Sequence, residues 1–393
     1  MSNRPYQLVE QQVDQLEEKI KVHRMRILKL VLAVAVFLLI VAGCLYYIYE
    51  NTTYTEYQVL ERAERSDSDG SRFEAFGGNI LKYSYDGVSC LDTGNRQIWS
   101  QTYEMQSPMV DICENYVAIA DRDGKRIYIM DTEGPRGSVE TRRPISQIQV
   151  ANQGMIAVLM QENDTGYIEL YDRDGNYLAE GELHTKKMGY PLSIAVSNDG
   201  RKMAVSMLDL NEGIVKSTVL FYNFGSVGQN EIDNIVSSYS YSDRVIPKVE
   251  FLTNDIAVAV GDTGMIFYEG NQKPVETQKI ELEQEIRSLF YNGHYVGLVY
   301  ENENSKDSYL IDLYNTKGTR EQQIPFSMEY ESISLLQNDE ICILNNLECS
   351  IYNVQGKLRF HSNFEEDIYG LIHQSGHKYI LLKEGATEKI LLK

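Results

Sequence analysis

One pair of histidines lies close enough in the chain to share a metal ion. His373 and His377 flank the tripeptide Gln-Ser-Gly, and His361 is the only other histidine near them in sequence. A protein zinc site usually needs three or four ligands. The pattern around the pair also predicts a turn between two strands. We therefore interpret both histidines as exposed turn residues and expect no metal site.

Three Asp-x-Asp-Gly segments begin like calcium-binding loops. They are Asp67–Gly70, Asp121–Gly124 and Asp172–Gly175. A calcium loop continues with alternating oxygen ligands and a closing glutamate, which none of the three provides. Because Asp and Gly also favour hairpin turns, we predict turns. The sequence contains no nucleophile elbow, phosphate-binding loop or zinc-protease motif, and we expect no cofactor.

The cysteines offer one candidate disulfide. A hairpin turning at Asn345 and Asn346 would place Cys342 opposite Cys349. A two-residue turn makes this a hydrogen-bonded pair, in which the Cα atoms are farther apart than in the alternate pairs of a ladder. The sequence leaves open whether these two thiols are bonded.

A turn motif recurs along most of the chain and organises these residues. Each copy has a strand of β-branched or aromatic residues, then Asp, Asn or Glu, then glycine. The glycines are separated by 40, 41, 50, 45, 48 and 38 residues, the period of a four-stranded propeller blade. The turn residues are Asp92 and Gly94, Asp131 and Gly134, Asp172 and Gly175, Asn223 and Gly225, Glu269 and Gly270, Asn315 and Gly318, and Asn353 and Gly356.

Tyrosines also recur at one position of the repeat. They directly precede the acidic or Asn turn residue in five copies. Large aromatic side chains at a repeated strand position are typical of packing between blades. These tyrosines are Tyr171, Tyr222, Tyr268, Tyr314 and Tyr352.

Seven turn motifs do not fix the number of blades. After the last motif come three more strand-like runs, IYGLIH, KYILL and EKILL, and residues 54–62 can supply a fourth strand. Such closure would pair strands from the two ends of the domain. We predict an all-β propeller of about eight four-stranded blades over residues 72–393, with seven as the alternative. One transmembrane helix and a linker at residues 50–71 precede it.

Residues 30–49 form an uncharged run of twenty residues, enough to span about 30 Å as a helix. Basic residues precede the run and acidic residues follow it, which predicts a cytoplasmic N-terminus and an extracytoplasmic propeller. We favour an uncleaved signal anchor over a cleaved signal peptide or a lipoprotein anchored at Cys44. The predicted interface residues are Arg24, Arg26 and Lys29 on the cytoplasmic side and Tyr46, Tyr47 and Tyr49 on the outer side.

Residues 1–29 show a short heptad-like stripe and are predicted to form a cytoplasmic amphipathic helix. This stripe is compatible with a simple juxtamembrane helix or with a parallel homodimer. The segment carries six basic and four acidic residues, so the remainder of a chain with a net charge of −20 carries −22. Such an acidic domain repels nucleic acid, so we expect no nucleic-acid partner.

The first repeat, LDTGNRQIWSQ at residues 91–101, resembles the repeat of quinoprotein-like β-propellers, also grouped with WD40-like folds. The whole layout is similar to uncharacterised single-span membrane proteins of Firmicutes that carry such a propeller as their ectodomain. The resemblance implies the propeller fold over roughly residues 55–393. Quinone-dependent relatives stack their cofactor on a tryptophan and often have a vicinal disulfide. This chain has no Cys-Cys pair, and its single tryptophan, Trp99, lies at a packing position of the repeat.

These observations favour a membrane-anchored, non-catalytic binding or scaffold module for an envelope protein or ligand. The fold alone does not determine the function. The alternatives are an extracytoplasmic quinone-dependent oxidoreductase or lyase, and a sensor coupled to the cytoplasmic helix. An enzyme would present clustered charged groups in the central channel, whereas a binding module could have a channel filled by packing.

Overall fold

A computed structural model describes residues 4–68, 70–163, 165–184, 189–210, 213–302 and 305–393. The chain forms two compact units, Met1–Thr53 and Tyr54–Lys393. The first unit is one long helix and the second is an all-β propeller.

Helix α1 runs from Arg4 to Asn51. Its stretch His23–Cys44 is long and apolar enough to cross a membrane. Arg24, Arg26 and Lys29 lie at the start of this stretch and are exposed. Tyr47 is exposed, whereas the side chains of the predicted interface residues Tyr46 and Tyr49 lie outside the described part of the structure.

The propeller has eight blades, each a four-stranded antiparallel sheet. Strand β1 (Tyr57–Glu64) comes first in the chain but belongs to the last blade. Blades 1 to 4 follow in order. Their strands are β2 (Arg72–Phe76), β3 (Asn79–Tyr83), β4 (Gly87–Leu91) and β5 (Gln97–Thr102); β6 (Pro108–Cys113), β7 (Tyr116–Asp121), β8 (Arg126–Asp131) and β9 (Gly134–Glu140); β10 (Ile145–Val150), β11 (Ile156–Glu162), β12 (Thr165–Tyr171) and β13 (Tyr177–His184); β14 (Tyr190–Val196), β15 (Lys202–Asp209), β16 (Lys216–Asn223) and β17 (Ile235–Ser242).

In blade 4, two short 3-10 helices, Gly228–Asn230 and Ile232–Asn234, lie between β16 and β17. Blades 5 to 8 continue the same pattern of strands. The strands are β18 (Lys248–Phe251), β19 (Ile256–Val260), β20 (Gly264–Glu269) and β21 (Val275–Glu281); β22 (Ser288–Tyr291), β23 (Tyr295–Glu301), β24 (Tyr309–Asn315) and β25 (Arg320–Phe326); β26 (Ser332–Leu335), β27 (Ile341–Leu344), β28 (Glu348–Tyr352) and β29 (Leu358–Asn363); β30 (Ile368–Ser375), β31 (Lys378–Lys383) and β32 (Ala386–Leu392). The prediction of an all-β propeller of eight blades is confirmed, and the seven-blade alternative is wrong.

Burial differs systematically between the strands of a blade. Middle strands such as β11 and β19 are buried over most of their length, because a neighbouring blade covers each face of the sheet. They therefore read as continuous apolar runs, as expected for strands covered on both sides. Outer strands such as β21 are largely exposed and polar. This contrast explains why the sequence shows several short strands per repeat without clear alternation in each one.

The two ends of the propeller close the ring. Strand β1 pairs antiparallel with β32, with Tyr57 opposite Leu392 and Glu64 opposite Ala386. The observed strand therefore begins three residues after the predicted segment 54–62 and ends two residues after it. Arg65, just beyond β1, donates to the carbonyl oxygen of Lys383 at 2.7 Å. Pairing through β1 covers an edge of β32 that would otherwise be free.

The hairpin that carries two cysteines turns one residue later than predicted. Cys342 lies opposite Ile351, and Cys349 lies opposite Leu344, so the prediction that the two cysteines face each other is wrong. The side-chain oxygen of Asn345 accepts the N–H of Leu347 at 2.9 Å, which makes Asn345 the first residue of the turn. Both cysteines are buried free thiols that lie diagonally on one face of the hairpin.

Candidate functional site

The first strand of each blade lies innermost, around the central channel. Contacts between neighbouring blades run through these strands, for example from β6 to β10, from β10 to β14 and from β14 to β18. The polar side chains of these strands are the groups that could do chemistry in the channel. Two acidic residues, Asp111 on β6 and Glu250 on β18, are the main candidates.

Asp111 joins blade 2 to blade 3. Its Oδ2 atom accepts the backbone N–H of Val150 at 2.6 Å, and its Oδ1 atom accepts the side-chain amide of Gln149 at 3.3 Å. Burial raises the pKa of Asp111 to about 7, and the charge of Glu250 adds to this effect. The hydrogen bond from Val150 and the charge of Lys248 act in the opposite direction. Asp111 is therefore a carboxyl group that can exchange a proton near neutral pH.

Glu250 joins blade 5 to blade 6. The hydroxyl of Tyr291 donates to its Oε2 atom at 2.6 Å, and the ammonium of Lys248 lies 2.9 Å from the same oxygen. The Lys248 ammonium also lies 5.7 Å from the centre of the Tyr291 ring. The pKa of Tyr291 is raised by burial first and then by the charge of Glu250. This arrangement keeps the tyrosine protonated as a hydrogen-bond donor.

Other polar side chains of the inner strands form similar bridges between blades. The amide of Gln147 on β10 donates to the carbonyl oxygen of Leu192 and accepts the N–H of Ile194, both on β14. The hydroxyl of Ser193 accepts the N–H of Val249 on the next blade. Asp111, Glu250, Gln147 and Ser193 therefore each link two neighbouring blades.

Among the described residues, no group of three His, Cys, Asp or Glu side chains is arranged to hold a metal ion. His373 lies at the inner-strand position β30, and His377 lies in the following turn. Both are half-buried rather than exposed, because His377 packs against Tyr54, whose hydroxyl lies 2.9 Å from its Nε2 atom. The interpretation of the pair as exposed residues is corrected in this respect.

The repeated turn residues lie between the third and fourth strands of seven blades, and several share one geometry. In the turns after Asp172, Asn315 and Asn353, the side-chain oxygen accepts the N–H four residues later. The glycine three residues later has φ between 75° and 84° in these turns, which L-residues rarely adopt. These glycines are Gly175, Gly318 and Gly356.

The turn after Asp92 keeps the same hydrogen bond, from the N–H of Arg96 at 2.9 Å, but Asn95, with φ of 62°, fills the left-handed position and Gly94 precedes it. The remaining three turns differ from this geometry. The N–H of Gly134 donates to Asp131, and the N–H of Gly225 donates to Asn223 at 2.8 Å. Gly270, after Glu269, instead donates to the carbonyl oxygen of Asp255 at 2.8 Å. Except for Glu269, these side chains accept hydrogen bonds from backbone N–H groups of their own turns, which gives them a role in shaping the chain.

Open slots between blades at the rim of the propeller are a feature that the sequence analysis did not identify. One lies between blades 3 and 4 and encloses about 480 Å³. Ile168, Leu170 and Leu183 on blade 3 and Met203, Tyr222 and Phe224 on blade 4 provide its apolar walls. Two other grooves have mostly polar linings. One lies between blades 1 and 2, and the other lies between blades 5 and 6.

Comparisons with solved structures agree with this architecture. The chain is similar to BamB from Moraxella catarrhalis, with 14% identity and a TM-score of 0.52 over 86% of this chain and 98% of that one. It is also similar to a eukaryotic initiation factor, with 12% identity and a TM-score of 0.52 over 81% of this chain and 83% of that one. At these identities the likeness shows the fold alone.

A search of curated proteins found no match. A family model does match residues 50–392, which includes the whole propeller. Its description is a family of unknown function, DUF5711. The chain therefore belongs to the DUF5711 family.

Proposed function

We propose that this protein is a non-catalytic binding or scaffold module, held at a membrane by α1, with its propeller presented outside the cytoplasm to an envelope protein or ligand. The observation that carries the proposal is that polar side chains in the channel form contacts between neighbouring blades. Asp111, Glu250 and Gln147 each bridge two blades, which favours structural contacts between blades over an active site as the role of these side chains. The rim and faces of the propeller then remain as surfaces for partners.

The apolar stretch His23–Cys44 supports membrane attachment, and the basic residues at its start support a cytoplasmic N-terminus. We test this topology with a protease added to intact cells. Digestion of the propeller in intact cells, with protection of a tag placed before residue 4, supports the proposed orientation. Protection of the propeller overturns it.

The binding role is tested by crosslinking in intact cells, followed by mass spectrometry of proteins that co-purify with the full-length chain. The control is a truncated chain that ends at residue 53 and lacks the propeller. A reproducible partner that requires the propeller supports the proposal. A quinone bound tightly to the purified chain, together with turnover of an added electron acceptor, would instead support the oxidoreductase alternative.

We also propose that the heptad-like stripe before the membrane stretch forms a parallel homodimer. Disulfide trapping tests this, with single cysteines placed at Val9 or Val13 on the stripe and at Gln11 off the stripe as the control. Trapped dimers at the stripe positions alone support the homodimer, and equal trapping at Gln11 contradicts it.

A further inference from the structure

The slot between blades 3 and 4 is open because the outer strand β13 carries small side chains on the face toward blade 4. Gly181 and Ala179 pair with Ile168 and Leu170 of β12, whose side chains belong to the core between these two blades. A Cβ atom added to Gly181 would meet no other atom within 4 Å. No described residue therefore occupies the space beside Gly181.

The next junction of the ring shows what normally fills this space. Counted back from the turn residue, Gly181 on blade 3 corresponds to Tyr239 on blade 4, because their partners Ile168 and Val219 each lie four residues before the turn. Tyr239 packs against Phe221 and Tyr268 with ring centres 6.4 and 5.3 Å apart. The junction between blades 4 and 5 is thus closed by an aromatic side chain.

The same comparison extends to the other blades that contain the repeated turn. The position of Gly181 is filled by a side chain in each of them, so that glycine occurs there in blade 3 alone among the seven. The corresponding residues in blades 1, 2, 4, 5, 6 and 7 are Gln101, Val139, Tyr239, Ile280, Ile324 and Ser362.

A tyrosine at the floor of the slot is left without a partner. Tyr222 and Tyr268 occupy the same repeat position, one residue before the turn. The hydroxyl of Tyr268 lies 2.7 Å from that of Tyr241, and Tyr268 is fully buried. Tyr222 is only 8% exposed, and within the described part of the chain its hydroxyl makes no hydrogen bond. The hydroxyl oxygen itself remains accessible at the slot, so it is available to a ligand.

One carboxylate side chain lies at the slot. Asp233 is among its lining residues, and no described lining residue is Lys or Arg, whereas Glu180 and Glu182 alternate with Gly181 along β13 and point to its other face. The charge of Asp233 acts on the Tyr222 hydroxyl, which places this carboxylate close to the floor. Charge complementarity therefore favours a cationic ligand with an apolar part.

The outer edge of β13 favours a peptide over a small molecule. Among the described strands, β13 is the last of its sheet and pairs only with β12, so no described strand covers its other edge. Residues 179–183 of this edge run along the slot. An extended peptide can bind such an edge through its backbone while it inserts a side chain beside it.

We propose that the slot between blades 3 and 4 binds an extended segment of a partner protein, in which an aliphatic or aromatic side chain enters the slot and an adjacent Lys or Arg contacts the carboxylate of Asp233. The proposal rests on the binding role proposed above. The inserted side chain covers the apolar walls, and the segment supplies the missing partner of the Tyr222 hydroxyl.

The test uses the full-length chain in detergent and a fluorescent heptapeptide with Phe between two Lys. We expect binding that weakens at least tenfold when Phe is replaced by Ser or both Lys by Glu. Gly181→Tyr, which copies the side chain of blade 4, should weaken binding at least tenfold. Val275→Tyr, on the exposed outer strand of blade 5, is the matched control and should leave binding unchanged. No binding of the Lys-Phe-Lys peptide, or equal binding by Gly181→Tyr, overturns the proposal.

A photocrosslinking residue at Ile232, which is 85% exposed beside the slot, tests the proposal in cells. We expect crosslinked peptides with an apolar residue next to Lys or Arg, and their loss in Gly181→Tyr. A partner that still co-purifies but crosslinks equally in Gly181→Tyr overturns the slot and leaves the binding role intact. Absence of any propeller-dependent partner overturns the binding role itself. The melting temperature of Gly181→Tyr should equal that of the unaltered chain, since the added side chain enters open space.

Discussion

The half-buried Asp111 gives a prediction about stability that can be worked through quantitatively. Its pKa is raised to about 7, mainly by burial, whereas an aspartate in an unfolded chain has a pKa of about 3.9. A difference of about three pKa units corresponds to about 4 kcal/mol. Ionisation of Asp111 therefore disfavours the folded state at neutral and alkaline pH.

The sign of the effect follows from proton uptake. Between about pH 4 and pH 7 the folded chain holds a proton on Asp111 that the unfolded chain has released, so the contribution of this group to stability falls as pH rises. Asp111→Asn removes the titration but keeps an oxygen that can accept the N–H of Val150. We expect the variant to match the unaltered chain near pH 4 and to gain up to about 4 kcal/mol by pH 8.

Urea unfolding of the chain in detergent at a series of pH values measures this difference. Asp172→Asn is the matched control, because asparagine occupies the same turn position in three other blades. Hydrogen bonding to the Asn176 side chain is the first cause that lowers the pKa of Asp172, so its titration should matter only in acid. A lower stability of Asp111→Asn at pH 8, or a difference between it and the unaltered chain that does not change with pH, would refute the reasoning.

Three further predictions concern the pairing of β1 with β32 that closes the ring, here called the seam, and the buried cysteine thiols. Arg65→Met should lower the stability by about 3 kcal/mol in thermal melts, because its side chain is 3% exposed and joins Asp67 to Thr387, whereas the exposed Arg96→Met should have little effect. Burial alone would raise the pKa of Asp67, but hydrogen bonds from Arg65 and Lys82 lower it, so the stability of the seam should be lost below about pH 4, seen as faster hydrogen exchange in β1. Iodoacetamide should leave Cys90, Cys342 and Cys349 unmodified until the chain unfolds, as measured by mass spectrometry, because all three thiols are buried.

The number of blades could be predicted because it depends on local turn chemistry. Asp or Asn followed by glycine within a few residues specifies a tight hairpin, and seven such turns at a regular spacing define the repeat. The eighth blade followed from counting strands at the two ends of the chain. The cysteine register was missed by one residue, because Asn345 can begin a turn or lie within one, and only its bond to Leu347 distinguishes the two.

The slot between blades 3 and 4 could not be predicted from the tyrosines alone. The sequence places Tyr222 and Tyr268 at one repeat position and predicts the same packing role for both. Their difference arises on another strand, where Gly181 stands in blade 3 and Tyr239 in blade 4. Matching Gly181 with Tyr239 requires the register of the outer strands, and a bulge near the start of the fourth strand shifts that register in both blades. A repeat position therefore predicts packing only when the facing position of the preceding blade is known, and an exception such as Gly181 marks a place where a ligand can take the role of the missing side chain.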